Sequence, residues 1–186
     1  MSTVVITAPE PVVSWEQVSA HLRLDGEDEK VYVEALVAAA TAWIDGPAGW
    51  LGRAIGEQDL ETRFSEFCDH MELMAPVIEI DAVEYVDERG ESKPAISTLY
   101  RVTGQPSRPR LALAYGESWP SARSDVDAVR VRYRAGYPEV PPPIRQAILL
   151  LVGQWYEARE AVSIGNAVNQ LPFAVEALLS PFRVYR

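Results

Sequence analysis

The stretch PPPIRQAILLLVGQWYEAREAV, Pro141 to Val162, limits what this chain can fold into more than any other. A helix on a protein surface shows one apolar stripe about 100° wide, with polar residues elsewhere. Here one stripe runs through Ile144, Ile148, Leu151, Val152 and Trp155 towards Val162, and a second row, Leu149, Leu150, Gly153 and Tyr156, lies on another side. The middle of such a helix has almost no solvent face and needs partners on two sides. Either its own chain supplies both, or another copy of the protein supplies one. The three prolines mark a boundary. Pro141 and Pro142 favour extended backbone, and Pro143 can occupy the first helical turn, where no amide hydrogen is needed.

Other helices are signalled near the N-terminus. Ser14 is placed as an N-cap, Gln17 closes a capping box three residues later, and Val13 with Val18 forms a hydrophobic staple, so a short helix is predicted to run to about Leu22. The acidic turn LDGEDE can cap a second helix, its carboxylates lying at the positive end of the helix dipole. Val33, Leu36, Val37, Ala40 and Ile44 form the stripe of that helix, which stops at Asp45-Gly46-Pro47. Beyond the polar loop SIGNAVNQ, Pro172 starts a short helix carrying Val175, Leu178 and Leu179, and Pro181 ends it.

Between Gln58 and Tyr137 the period changes to two. Ile78, Ile80 and Ala82 alternate with Glu79 and Asp81, and DERGE reads as a hairpin turn leading to a strand that ends near Tyr100-Arg101-Val102. RLALAY is another strand candidate. In VRVRYRAGY, Val129, Val131 and Tyr133 point one way while Arg130, Arg132 and Arg134 point the other, which predicts an antiparallel sheet buried on one side. The expected fold is therefore α+β: a small helical bundle formed by residues 1–56 and 141–186, with a β-rich insertion at 57–140. A chain of 186 residues can bury roughly 70% of its unfolded surface and needs no covalent staples.

Composition narrows the function classes. The single Cys68 excludes a disulfide framework within the chain, and MSTVVITAPEP lacks the basic and apolar regions of a secretory signal. The apolar run AILLLVG is far short of the ~20 residues that cross a bilayer, so a soluble protein made in a reducing cytoplasm is expected. The net charge of -10 is uneven: residues 1–100 hold twenty acidic and six basic side chains, whereas residues 101–145 hold four acidic side chains and eight arginines. That polarity reads either as two solvated faces or as copies meeting head to tail, acidic surface to basic surface.

Catalytic signatures are missing. GESWP around Ser118 is not a nucleophile elbow; Gly46, Gly49 and Gly52 have the wrong spacing for a dinucleotide loop and read as turn residues. Cys68 and His70, with His21 the only other histidine, fall short of a four-ligand zinc set, and no cofactor or metal is expected. The pair Glu79 and Asp81 reads as a solvated strand face, which leaves a small carboxylate-dependent hydrolase as a weak alternative. Arg130, Arg132 and Arg134 beside Tyr133 could contact phosphate and keep a DNA-binding packaging factor open, although a sequence pI of about 4.7 opposes it.

Five blocks carry a resemblance: PVVSWEQVSAHLRLDGEDE, AWIDGPAGWLGRAIGEQ, YGESWPSARSDVDAVRVRYRAGYP, PPPIRQAILLLVGQWYEAREAV and LPFAVEALLSPFRVYR. In this order, over nearly the whole chain, they resemble the head-tail connector proteins of long-tailed bacteriophages and gene transfer agents, also called adaptor or head-completion proteins. The resemblance implies a structural, non-enzymatic virion protein at the head-tail junction, assembled in the bacterial host cytoplasm. It implies a ring, of twelve copies, beneath the portal protein, extending a channel through which DNA passes without specific binding and offering a docking surface to a tail-proximal stopper or tail-terminator protein. On that footing Leu149, Leu150, Arg130, Arg132 and Arg134 are candidates for contact between subunits. Phe182, Arg183, Val184, Tyr185 and Arg186 are candidates for contact with the portal, and the tail is expected to be loosely packed until it docks. The net charge of -10 generates a prediction. Free protein should show no micromolar binding to duplex DNA at physiological salt in an anisotropy titration, whereas binding that weakens steeply with added salt would favour the packaging alternative.

Overall fold

The computed structural model describes residues 1–158 and 173–185. The positions expected at Val162, in the loop SIGNAVNQ, at Pro172 and at Arg186 lie outside the described residues. The fold is α+β, with two compact units. One comprises Met1–Pro9 and Arg53–Pro138; the other comprises Glu10–Gly52 and Glu139–Arg186.

The first unit is built from eight strands: β1 (Ser2–Thr7), β2 (Gln58–Phe64), β3 (Met71–Glu72), β4 (Val77–Val86), β5 (Ser92–Pro94), β6 (Tyr100–Gln105), β7 (Arg108–Leu113) and β8 (Val129–Ala135). They form a five-stranded sheet in the order β1-β2-β8-β4-β5 and a three-stranded sheet in the order β3-β7-β6. Every pairing is antiparallel. The alternation expected in β8 holds: Val129, Val131, Tyr133 and Ala135 are buried, and Arg130 and Arg132 are exposed. Leu60, Phe64, Val83, Val131 and Tyr133 of the larger sheet share one core with Met71 and Leu111 of the smaller.

Three features of the sheets depart from the sequence reading. Ser2–Thr7, where no strand was expected, pairs with β2 in register Thr3 to Thr62. The alternation of Ile78, Ile80 and Ala82 does not persist, because β4 changes register between Val77 and Glu79 and again between Ile80 and Ala82, leaving Ile78 38% exposed. A bulge adds a residue to one strand and turns the next side chain to the other face. Finally, Tyr100-Arg101-Val102 does not end the strand that follows DERGE. That turn leads to the short β5, and Tyr100 begins β6 in the other sheet.

A buried chain of hydroxyls ties this unit together. The Met74 N–H donates to the Tyr133 hydroxyl at 2.9 Å, Tyr133 lies 2.9 Å from the Thr62 hydroxyl, and Thr62 lies 2.9 Å from Thr3. One donor per hydroxyl suffices for the series, so the fully buried phenol is satisfied without water. Where β8 ends, Gly136 has φ +120°, and a Cβ there would stand 2.1 Å from the Gly56 carbonyl oxygen, so no other residue fits. Its N–H donates to Pro76 and that of Tyr137 to Ile55, each at 2.9 Å.

Among its described residues the second unit holds four α-helices: α1 (Trp15–Leu22), α2 (Lys30–Ile44), α3 (Pro142–Glu157) and α4 (Phe173–Leu179). The capping box is present, with the Ser14 N–H donating to Gln17 Oε1 at 3.0 Å and the Gln17 N–H to Ser14 Oγ at 3.4 Å; Val13 and Val18 are buried. The acidic turn does not cap α2 as expected. Glu29 occupies the N-cap position without a side-chain cap, and its carboxylate accepts instead from the Tyr156 hydroxyl. Thus α3 meets α1, α2 and α4, all from its own chain. Ile144, Ile148, Leu151 and Val152 are fully buried, as expected for the first row. The second row is covered in part: the His21 ring of α1 approaches Gly153, and Tyr156 packs on Tyr32 of α2 with ring centroids 6.2 Å apart.

Removing the Tyr133 hydroxyl should strand the buried Met74 N–H and leave the Thr62 hydroxyl with Thr3 alone. Tyr133→Phe is predicted to lower stability by about 1–3 kcal/mol in urea titrations without changing the far-ultraviolet circular dichroism.

Candidate interface surfaces

The arginine row of β8 lies on the outer face of the five-stranded sheet, opposite carboxylates that the strand register places there. Across the ladders Arg134 faces Asp59 and Glu79, Arg132 faces Glu61, and Arg130 faces Glu84 and Arg63. Glu61 is the centre of this lattice. Its side chain is only 3% exposed, and its two oxygens accept from Arg63 Nε at 2.7 Å and from Arg132 Nε at 2.8 Å. Burial pushes the Glu61 carboxyl up, yet the bonds from Arg132 and Arg63 outweigh it and hold the group below the usual carboxylate range. Arg134 is paired with Glu79, and Arg63 also reaches Asp127 at 3.4 Å. Arg130 is exposed and makes no ion pair among the described residues. Most of the row is thus engaged by its own sheet, leaving Arg130 as the member free to meet another molecule.

Glu79 and Asp81, read as a solvated strand face, behave differently from each other. Glu79 binds Arg134, whereas Asp81 is pushed above the usual carboxylate range, by burial first and then by the charge of Asp59. Cys68 is exposed, and His70 Nδ1 lies 3.1 Å from Arg110 Nη1. Among the described residues no group of three His, Cys, Asp or Glu side chains could hold a metal ion. No helix among them is long and apolar enough to cross a membrane.

In the helical unit, Leu149 and Leu150 are half-buried, between the polar exposed Gln146 and Gln154. The outward face of α2 is less usual. Val31 is 83% exposed and Trp43 40%, and between them Ala35, Ala38, Ala39 and Ala42 are exposed with Glu34 as the only charge. The expected stripe of α2 is present on the other face, with Val33, Val37, Ala40 and Ile44 buried and Leu36 half-buried.

The terminal tail is better anchored than expected. Its Val184 N–H donates to the Leu51 carbonyl at 2.9 Å, and Phe182, Arg183 and Val184 are half-buried. The Arg183 guanidinium lies between two rings, 4.0 Å from the Trp50 centroid and 4.7 Å from that of Tyr185. Gly52 makes the seat: at φ +64° it brings the Val184 carbonyl oxygen to 2.7 Å from where a Cβ would stand. This corrects the expectation of a loose tail. Tyr185, 67% exposed, remains the outward member of the candidate set.

Sequence reasoning missed Glu61, Trp50 and the bare face of α2. A period-two reading of QDLETRF would have placed Glu61 opposite Leu60 and Thr62, and the run of alanines in VAAATAW carried the α2 signal. Trp50 gave no signal, because its partner Arg183 lies 133 residues further along the chain.

No model of a known protein family matches the chain, and no curated protein matches it. Solved structures do. The chain is similar over its full length to a chain of the neck of an empty gene transfer agent particle computed with C6 symmetry, with a TM-score of 0.76, 25% identity and 97% of that chain covered. It shares its fold with a chain of the virion of a native gene transfer agent particle, at a TM-score of 0.72, 24% identity, and 100% and 97% of the two chains covered. A chain of the neck of a native particle computed with C12 symmetry has the same fold, at a TM-score of 0.69, 24% identity and the same coverage.

The Glu61 lattice predicts a pH dependence. A carboxyl held below its ordinary value when folded contributes stability that is fully present above that value and is lost as pH falls through the lowered one. Glu61→Gln should therefore destabilise the protein by about 1–3 kcal/mol at neutral pH, the arginines being partly solvated. The gap between the variant and the parent in urea titrations should close as pH drops below about 4.

Proposed function

We propose that this chain is a structural subunit of the neck of a phage or gene transfer agent particle, and specifically the adaptor that forms a ring beneath the portal protein and joins the filled head to the tail. The observation that carries this reading is the full-length likeness to a chain of a symmetric particle neck, at a TM-score of 0.76 and 25% identity. The likeness to chains from assemblies computed with C6 and C12 symmetry supports a ring, and twelve copies is the number we assign.

Within that ring we assign Leu149, Leu150 and Arg130 to the contact between subunits, with Arg132 and Arg134 beside it held by Glu61 and Glu79 of their own sheet. The tail, Phe182, Arg183, Val184, Tyr185 and Arg186, is placed on the portal, with Trp50 and Arg183 presenting Tyr185. Aromatic and arginine side chains concentrate binding energy at interfaces. The distal surface receives a stopper or tail-terminator protein, and DNA traverses the channel without specific contacts. Assembly takes place in the host cytoplasm.

Deleting the gene tests the reading. DNA-filled heads and free tails should accumulate and should join when purified protein is added; normal tailed particles from the deletion would contradict it. Leu150→Asp should leave cooperative melting intact and prevent ring formation, because a carboxylate without a partner is costly at a dry interface. Loss of cooperative melting would instead place Leu150 in the subunit core.

A further inference from the structure

The sheet unit carries several strand edges, and they are protected unequally. An open edge presents unpaired N–H and C=O groups, which natural proteins normally blunt by shortness, charge, proline or bulges. β3 has two residues, and β5 has three, including Lys93 and Pro94. The part of β4 beyond β5 carries Glu79 and Asp81 and two changes of register. Two edges are less protected among the described residues, β6 carrying only Arg101 as a charge and β1 an irregularity only beyond Val5. β1 reads STVVIT, with no charge; Val4 is 37% exposed and Val5 42%, and its register runs unbroken from Ser2 to Val5 before shifting at Ile6. β6 pairs with β7 on one side only, is exposed from Arg101 to Gln105 with Val102 43% exposed, and runs four residues before Gly104.

We propose that these two edges join neighbouring copies: the free side of β1, Ser2–Val5, pairs with the free side of β6, Tyr100–Thr103, of the next subunit. The occupant of each edge is then a second copy of this chain. Two observations select it. The free run of β6, Tyr100–Gln105, is at least as long as the unbroken run of β1, Ser2–Val5, so the backbone groups of β1 can all find partners on it. They also belong to different sheets, so the contact is heterologous. Pairing β1 with β1 would be isologous and would stop at a dimer, whereas a heterologous contact repeats from copy to copy and closes a ring where its rotation divides a full turn. The larger sheet of each subunit would thereby continue into the smaller sheet of its neighbour. The inference rests on the ring reading given above.

Cross-linking inside purified particles tests it. With the exposed Cys68 replaced by Ser, chains carrying Val4→Cys, Val102→Cys or both would be assembled into particles and treated with a short bis-maleimide. Both altered positions are surface-exposed, so parental melting of each purified variant is the expected control. The double variant should give a ladder of multimers on denaturing gels, and each single variant should remain monomeric. Dimers from the Val4→Cys chain alone would overturn the proposal in favour of like edges meeting. Absence of a ladder from particles that contain the double variant at the parental level would overturn the edge pairing and leave the neck reading standing. Absence of the parental protein from particles would overturn both.

Discussion

β8 is hydrogen-bonded along both sides, to β2 and to β4, and its two rows of side chains serve opposite purposes. The row Val129, Val131, Tyr133 and Ala135 closes the core that both sheets share. The Tyr133 hydroxyl then extends that core into a polar chain reaching Met74 on one side and Thr62 and Thr3 on the other. The opposite row turns the outer face of the sheet into a lattice of arginines and carboxylates centred on Glu61. A register slip of one residue would exchange the rows and bury three arginines, so the pleat of this strand determines its pairing. Its end is equally constrained, since Gly136 passes the Gly56 carbonyl where no side chain has room.

The helical unit obeys a different constraint. α3 is apolar on two sides, and the chain answers with three helices, using Gly153 and Tyr156 to seat α1 and the start of α2. What remains uncovered is not where the composition of α3 pointed. It lies on α2, whose outward face is almost free of charge. Within the arginine row, two of three members are engaged by the sheet's own carboxylates.

The fold class was legible because its strongest signals are local. The capping box at Ser14, the proline start of α3 and the alternation in β8 each act within a few residues and each is present in the structure, although α3 begins at Pro142, which was expected to be extended, because a proline needs no amide hydrogen in a first turn. The misses share a physical cause, which is pairing between distant segments. β1 lacks alternation because it is an exposed edge, and only its ladder with β2, more than fifty residues away, makes it a strand. The bulges of β4 depend on how it is paired with β8. The tail is anchored by Leu51, Gly52 and Trp50, none of which is near it in sequence. Of the candidate contacts, the arginine row could be read from spacing, but the carboxylates that occupy two of its members could be placed only once the register of β2 and β4 was known.

The proposed role is positional, a subunit of the particle neck set between portal and tail. Cryo-electron microscopy of purified particles, reconstructed at the head-tail junction, tests it most directly. The account predicts a ring of density beneath the portal into which the α+β fold fits copy by copy, with α3 inside each helical unit and Tyr185 facing the portal. A junction accounted for entirely by other chains, or this fold found in the capsid interior or at the far end of the tail, would contradict it.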